Sequence, residues 1–184
     1  RAVTRNEYAA FAQATDRAEA GCRIRTALMT LKKRSWRDPG FKQGGNHPAV
    51  CVSVADASAY ASWLSQRDGL TYRLPSATEW QSAANLAGFA EACQAQRIAC
   101  AGKGTAPTDS GPMTSAAVHA MHGNVREWPA GCGADCRTHA ALGASWRDTP
   151  TASASDNEVD ARYGYDDIGF RLVRDVGREE VEQR

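Results

Sequence analysis

The chain has 184 residues, enough for one domain with a single core of ordinary size. Its 22 lysines and arginines almost balance its 21 aspartates and glutamates, so the net charge does not favour nucleic acid or an anionic membrane as a partner. The sequence contains no apolar run of ~18 residues, so we expect no transmembrane helix in it.

Three helices are predicted from their N-terminal caps. Each begins at a hydroxyl residue that is followed three positions later by an acidic residue, a pattern that satisfies the first backbone N–H groups of a helix. The pairs are Thr4 with Glu7, Ser53 with Asp56, and Ser76 with Glu79. Apolar residues then recur at helical spacing, and Gly69 is a C-terminal signal for the second helix.

The segment from Arg23 to Lys42 is rich in cations. It carries Arg23, Arg25, Lys32, Lys33, Arg34, Arg37 and Lys42, against Asp38 as its one acidic residue. Aromatic residues are few, and the run from Arg37 to Gly40 is typical of a turn. We interpret the segment as a solvated loop with a positive surface, and an acidic ligand or partner is the alternative.

Short strands are predicted between the helices and in the second half of the chain. They cover residues 49–52, 72–74, 125–128, 141–146 and 168–173. The strand at 125–128 follows Gly123 and Asn124, residue types that accept a positive φ angle, so a tight turn is expected there.

Six cysteines lie at positions 22, 51, 93, 100, 132 and 136. Sequence proximity suggests the pairs Cys93–Cys100, Cys132–Cys136 and Cys22–Cys51, but spacing alone does not choose among the alternative pairings. A disulfide framework indicates an oxidising compartment, either the periplasm or the exterior of the cell. Free thiols in a cytosolic protein are the other interpretation.

A zinc site is a further alternative for part of this set. Cys132, Cys136 and His139, together with His119 or His122, have the composition of a zinc ligand set. Their spacing is not that of a standard zinc finger, and the surrounding segment is rich in glycine and alanine.

Seven motifs occur in the order found in one family. They are Val3-Thr-x-x-Glu-Tyr-x-x-Phe11, His47-Pro-x-x-x-Val-Ser53, Ala57-x-x-Tyr-x-x-Trp-Leu64, Tyr72-Arg-Leu-Pro-x-x-x-Glu-Trp80, Met121-x-Gly-Asn-Val-x-Glu-Trp128, Gly143-x-Ser-Trp146 and Ile168-Gly-Phe-Arg-Leu-Val-Arg174. Together they resemble the formylglycine-generating enzyme (sulfatase-modifying factor) family, whose fold is similar to that of C-type lectins. The resemblance implies an irregular α+β domain over residues 1–175, with few helices, short twisted strands, long loops and a charged tail over 176–184. Family members carry an N-terminal β-segment before the first motif, and these 184 residues begin almost at that motif, so we expect the segment to be absent, to be disordered or to lie outside these residues.

The chemistry of the family does not transfer with the scaffold. Its copper enzymes use a pair of cysteines after the Gly-x-Ser-Trp strand, and thiolates are the ligands that copper(I) requires. This sequence has no cysteine beyond Cys136. The related iron enzymes take part of their ligands from an additional helical domain, which we do not recognise in these 184 residues. We therefore expect no catalytic residues, with a metal-dependent oxidase as the alternative.

Family members also bind structural calcium, and one such site uses the Met121–Trp128 motif. By resemblance, Gly123 and Val125 would supply carbonyl oxygens and Glu127 a carboxylate. Ala120 stands where the family has an acidic or amide ligand, which weakens the site because calcium takes ~6–8 oxygen ligands. The sequence therefore predicts no certain cofactor, and calcium at reduced affinity is the alternative.

The cysteine framework and the missing thiols predict a non-catalytic binding domain in the periplasm or outside the cell. The resemblance implies that it belongs to a larger bacterial envelope protein, such as a transmembrane Ser/Thr kinase whose sensor it would form, because domains of this family occur fused to such proteins. The expected partner is a small molecule, an ion, an envelope component or a protein, and neither nucleic acid nor membrane insertion is expected. The predicted ligand-binding residues are Asp148, Asp156, Asp160, Tyr163 and Tyr165, near Asp166 and Asp167, which suggests an acidic surface. A lectin-like display protein is a third hypothesis.

Overall fold

The protein has an α+β architecture with few helices and short strands, as expected. The computed structural model describes residues 1–25, 33–84, 102–110, 118–119, 121, 123–132, 135–148 and 157–176. In these ranges the helices are α1 (Arg5–Ala14), α2 (Val54–Asp68) and α3 (Ala77–Ala84). The strands are β1 (Cys22–Arg23), β2 (Tyr72–Arg73), β3 (Arg126–Glu127), β4 (Thr138–Ala141), β5 (Asn157–Asp160), β6 (Gly164–Tyr165), β7 (Ile168–Gly169) and β8 (Val173–Arg174).

The predicted caps are confirmed. The Oγ1 atom of Thr4 accepts the backbone N–H of Glu7, and the Glu7 carboxylate accepts the backbone N–H of Thr4 at 2.7 Å. The same reciprocal bonds begin α2 at Ser53 and Asp56 and begin α3 at Ser76 and Glu79. Gly69 ends α2 with a φ of 67°, a conformation that glycine adopts without strain.

The strands associate in pairs that connect distant parts of the chain. β1 is parallel to β6, and β3 is parallel to β7. β2 is antiparallel to β8, and β4 is antiparallel to β5. In three of these pairs the C-terminal strands β6, β7 and β8 bond to earlier strands. The end of the domain therefore holds earlier parts of the chain together.

An aromatic core lies between the first two helices and the C-terminal strands. Phe11 and Tyr60 meet edge to face with ring centroids 5.4 Å apart, and Tyr60 meets Phe170 at the same distance. Trp128 is fully buried, and its indole N–H donates to the Val52 carbonyl at 3.0 Å. Edge-to-face pairs of this kind stabilise a core beyond the area that they bury.

The predicted strand at residues 49–52 is wrong. The backbone N–H of Ala49 donates to Val3, whereas that of Cys51 donates to Tyr165. Cys51 has a φ of 60°, which interrupts the extended conformation. The segment therefore bonds to Val3 at one end and to Tyr165 at the other and does not form a regular strand. It also packs closely against Gly164, since a Cβ atom there would lie 2.3 Å from the Cys51 carbonyl carbon.

Two other predicted strands differ in their limits. The strand expected at 141–146 lies at 138–141, and Gly143 turns the chain with a φ of 83°. The strand expected at 168–173 is divided into β7 and β8, because the chain changes its pairing partner from β3 to β2 between them. No helix in the described ranges combines the length and hydrophobicity needed to cross a bilayer.

Candidate functional site

The turn at Gly123 and Asn124 positions the buried strand β3. Both residues have positive φ angles, 87° and 63°, as the sequence predicts. The Asn124 side chain accepts the backbone N–H of Ala106 at 2.9 Å and donates to its carbonyl at 3.0 Å. This two-point contact ties the turn to the 102–110 segment and directs Arg126 and Glu127 into β3.

Glu127 is buried with both of its carboxylate oxygens engaged. One oxygen accepts the indole N–H of Trp80 at 2.7 Å and the Nε of Arg171 at 2.5 Å. The other accepts the Nη2 of Arg171 at 2.9 Å. The side chains of Glu127 and Arg171 are 2% and 7% exposed, so this is a buried, bidentate ion pair.

This arrangement does not fit a calcium ion at Glu127. The Arg171 guanidinium lies against both oxygens of the carboxylate, and this cation would repel a calcium ion bound to the same oxygens in a buried site. Gly123 and Val125 are buried, and Ala120 lies outside the described residues. The chain thus provides its own cation at the residues where the family resemblance implies calcium.

A second buried group of charges follows the Gly143–Trp146 motif. We call it the Arg–Asp cluster, and it consists of Arg25, Arg34, Arg126, Arg147, Asp148, Asp166 and Asp167, with Ser145 between them. Its carboxylates come from the loop after β4 and from the turn before β7. Its guanidinium groups come from the basic segment, from β3 and from the same loop.

Asp148 occupies the centre of the cluster. Its carboxylate accepts hydrogen bonds from Arg25 at 2.7 Å, from Arg126 at 3.1 Å and from the backbone N–H of Ser145 at 2.7 Å. Burial raises the pKa of Asp148, but the Ser145 N–H and the Arg25 guanidinium outweigh that effect and hold the pKa below its usual value. The carboxylate is therefore ionised and committed to internal partners.

Asp166 anchors the other side of the cluster. It accepts two hydrogen bonds from Arg147, at 3.1 and 2.5 Å, and one from Arg34 at 2.9 Å. Burial raises the pKa of Asp166 above its usual value, while Arg147 and Arg34 oppose that shift. The Arg147 guanidinium also lies 4.2 Å from the centroid of the Trp146 ring. The cluster therefore restrains both Trp146 and Ser145 of the Gly143–Trp146 motif.

The interpretation of the basic segment as a solvated loop is wrong for two of its residues. The side chains of Arg25 and Arg34 are only 8% and 18% exposed, because both form ion pairs with buried aspartates. Arg23 and Arg37 remain 45% and 62% exposed, as expected. Spacing along the segment does not distinguish the two kinds of arginine, since the acceptors lie more than a hundred positions away.

The five predicted ligand-binding residues lie in different environments. Asp148 and Tyr165 are buried, Asp160 and Tyr163 are partly exposed, and Asp156 lies outside the described residues. Asp166 and Asp167 are fully buried and do not contribute to an acidic surface. A role in binding ligand stays a prediction for this set.

Two arginines join Asp160 and Tyr163: Arg23, which belongs to the basic segment, and Arg162, which the sequence did not single out. The Arg23 guanidinium stacks 3.3 Å from the centroid of the Tyr163 ring, and Arg162 forms two hydrogen bonds with Asp160, at 2.8 and 2.7 Å. Asp160 has its pKa lowered to about 2, chiefly by the hydrogen bond from Arg162. We call these four residues the Arg23–Tyr163 surface.

The cysteines that the structure describes form two disulfides, Cys22–Cys51 and Cys132–Cys136. Both agree with the pairs suggested by sequence proximity, and Cys93 and Cys100 lie outside the described residues. His139 lies beside the second disulfide, so the three residues considered for zinc are brought together. His119 does not belong to this group, and His122 is outside the described ranges.

Comparisons with known proteins agree with the architecture. The family model for the sulfatase-modifying factor enzyme 1-like domain matches residues 1–176. The structure of PvdO from Pseudomonas aeruginosa is similar, with 27% sequence identity, a TM-score of 0.74, and alignment over 95% of this chain and 78% of PvdO. CarF has 25% identity and a TM-score of 0.67, over 96% of this chain and 84% of CarF.

A third similar structure is Treponema denticola variable protein 1. It has a TM-score of 0.62 and aligns over 93% of this chain and 81% of its own, but its 15% identity shows a shared fold alone. These similarities confirm the expected irregular α+β fold of the formylglycine-generating enzyme and C-type lectin type.

Proposed function

The chain belongs to the sulfatase-modifying factor enzyme 1-like family, and we propose that this domain is a non-catalytic, extracytoplasmic ligand-binding module. The observation that carries the proposal is the environment of Asp148. This residue follows the Gly143–Trp146 motif, where the family resemblance implies metal-binding thiols, and its carboxylate is engaged by Arg25, Arg126 and Ser145.

The chemistry of this segment supports a structural role for the cluster. Carboxylate oxygen is a poor ligand for copper(I), which prefers sulfur. The guanidinium groups of Arg25 and Arg126 lie 2.7 and 3.1 Å from the Asp148 oxygens, so a metal cation would meet positive charge there. The sequence has no cysteine after Cys136 to replace the missing thiols.

The disulfides support a location outside the cytoplasm. Cys22–Cys51 and Cys132–Cys136 are both oxidised, and such bonds persist in oxidising compartments. In the specific form of the proposal, the domain is the periplasmic sensor of a transmembrane Ser/Thr kinase. The full-length reading frame tests that form, since it requires a kinase domain and a single transmembrane helix in the same polypeptide.

The Arg23–Tyr163 surface is the part of the described structure best suited to a ligand. The side chains of Arg23 and Arg162 are 45% and 65% exposed, and that of Asp160 is 22% exposed. Two guanidinium groups against one carboxylate leave a net charge of +1 on the surface, and Tyr163 adds an aromatic contact. Such a combination favours an anionic ligand with an apolar portion, such as an acidic envelope fragment.

Calorimetry with a panel of peptidoglycan fragments, polyamines and divalent cations tests the proposal. We expect saturable binding of an acidic fragment, weakened about tenfold by Arg162→Ala or Tyr163→Ala. Arg67→Ala is the matched control, because Arg67 is also an exposed arginine that pairs with an aspartate, Asp68, and stacks on an aromatic ring.

Two results would overturn the proposal. One is the absence of saturable binding across the panel. The other is copper-dependent oxygen uptake by the purified protein with a thiol peptide, which would establish the oxidase alternative.

A further inference from the structure

Cys132, Cys136 and His139 form a compact group that neither the Arg–Asp cluster nor the Arg23–Tyr163 surface includes. Their potential ligand atoms all lie within 4.8 Å of one another, and each side chain is partly exposed. Two sulfurs and an imidazole nitrogen at such distances can converge on one ion after a modest side-chain movement. Thiolate and imidazole groups are the ligands of soft and borderline metal ions.

His139 is held in a defined orientation. Its Nε2 atom lies 3.0 Å from the carbonyl oxygen of Pro129, and its ring stacks on that of Trp128 with centroids 6.2 Å apart. A carbonyl oxygen only accepts hydrogen bonds, so Nε2 carries the proton and Nδ1 keeps its lone pair. Histidine ligands of metal ions characteristically donate their other ring N–H to a group such as a backbone carbonyl.

The Cys132–Cys136 disulfide is the more accessible to a reductant of the two that are described, and its loss should cost the fold less stability. It links residues only 4 positions apart, so closing its loop stabilises the fold less than the Cys22–Cys51 bond, which spans 29 positions. Cys22 and Cys51 are buried, whereas Cys132 lines a surface cleft of about 230 Å³ between α2 and residues 129–132. A thiol reductant can therefore reach Cys132.

We propose that the reduced Cys132–Cys136 pair binds a single copper(I) ion together with His139, so that the disulfide gates the site. The reductant is a dithiol, which passes two electrons and two protons to the protein disulfide and becomes a disulfide itself. Metal binding then displaces the two thiol protons, because thiolate is the form that ligates.

Copper(I) fits this donor set better than zinc does. Within the described ranges, no further histidine, cysteine or carboxylate joins the three residues. Zinc in structural sites is almost always held by four ligands, whereas the soft copper(I) ion is selected by sulfur ligands. The proposed gate is independent of ligand binding at the Arg23–Tyr163 surface.

The test uses protein carrying Cys93→Ser and Cys100→Ser, so that those two sulfurs bind no metal. The protein is reduced with a mild dithiol under native conditions without oxygen and titrated with copper(I) against a chromophoric copper(I) chelator. We expect a single copper(I) ion per reduced chain and none on the oxidised protein. Cys136→Ser should abolish binding, and His139→Ala should weaken it roughly tenfold or more.

Two controls keep the result interpretable. His47→Ala removes a histidine whose Nδ1 lies 2.9 Å from Thr105 and which is not in the ligand group, so copper affinity should not change. Alkylation followed by mass spectrometry should show that copper(I) protects Cys132 and Cys136 without any substitution. Binding to the oxidised protein, unchanged affinity in His139→Ala, a preference for zinc, or no protection from alkylation would each overturn the proposal.

Discussion

Arg25 and Asp167 are 142 positions apart in the sequence, yet the Nε atom of Arg25 donates a 2.9 Å hydrogen bond to the Asp167 carboxylate. The Asp167 side chain is fully buried, and that of Arg25 is 8% exposed. The same guanidinium also reaches Asp148 at 2.7 Å. The pair therefore joins the N-terminal part of the chain to the turn before β7, with little water to screen the charges.

Replacing Arg25 with alanine should destabilise the domain by about 3–5 kcal/mol, because it leaves buried carboxylates without their cation. Arg67→Ala removes an arginine from an exposed pair and should cost at most about 1 kcal/mol. The free energies of unfolding from urea titrations measure both effects. Equal losses in the two variants would show that burial of the cluster contributes nothing.

Calcium should not raise the melting temperature through Glu127, because Arg171 already supplies the cation at that carboxylate. Glu127→Gln should instead destabilise the protein by about 3–5 kcal/mol, since it leaves the Arg171 guanidinium buried without its counter-charge. Thermal unfolding with added calcium and with a calcium chelator distinguishes a calcium site at Glu127 from an ion pair with Arg171. A calcium-dependent rise that Glu127→Gln removes would contradict this prediction.

The two disulfides should differ in their contributions to stability. Loop-closure entropy predicts about 3.6 kcal/mol for Cys22–Cys51 and about 1.9 kcal/mol for Cys132–Cys136, because the spans are 29 and 4 residues. Double alanine variants of each pair, compared by chemical unfolding, measure the difference. A larger loss from the Cys132–Cys136 variant would show that the short bridge does more than close its loop.

Glu7 should make part of the stability depend on acid pH. Burial opposes its charged form, but hydrogen bonds from Arg1 and Thr4 outweigh that effect and lower the pKa of Glu7 from its usual 4.5 to about 2. The ionised carboxylate therefore stabilises the fold above pH 4.5, and this contribution is lost as the pH falls from 4.5 to about 2.

Unfolding of Glu7→Gln over this pH range provides the measurement. The variant should be less stable than the parent at neutral pH, by about 1 kcal/mol or less because the pair with Arg1 is partly exposed. The difference should disappear near pH 2. A difference that does not change with pH would assign the effect to side-chain shape.

Asn124 should contribute through both its side chain and its backbone conformation. Asn124→Gly keeps the positive φ of 63° accessible and removes the two hydrogen bonds to Ala106, for an expected cost of about 1–3 kcal/mol. Asn124→Ala should cost about 1–2 kcal/mol more, because alanine is strained in that conformation. Chemical unfolding of the two variants measures the separation, and equal stabilities would exclude backbone strain.

Local structure was predictable wherever neighbouring residues decide it. The capping pair of Thr4 with Glu7 satisfies helix N–H groups within one turn, and Gly123 with Asn124 supplies a turn at low conformational cost. The family was recognisable for a related reason, since its motifs are runs of such local features in a defined order. Strand limits were less accurate, because pairing partners outside the segment set them.

The environments of the charged side chains depend on tertiary contacts that cannot be predicted from the spacing of residues along the sequence. Arg23 and Arg25 are two positions apart in the same basic segment, yet one stacks on Tyr163 at the surface and the other lies buried with Asp148. Asp166 and Asp167 have the composition of a solvated acidic loop, but both are buried in the fold.

The sequence by itself determined the helices, the central turn, the family and the absence of cysteines after Cys136, because these depend on residue type and short-range order. Only the tertiary structure decided that Arg171 lies against Glu127, that Arg25 and Arg34 enter the Arg–Asp cluster, and that His139 lies beside Cys132 and Cys136. The physical reason is that burying a charge costs desolvation free energy, which must be offset by a partner of opposite charge that the fold places beside it. In this protein many of the partners come from loops and turns that are distant in the sequence.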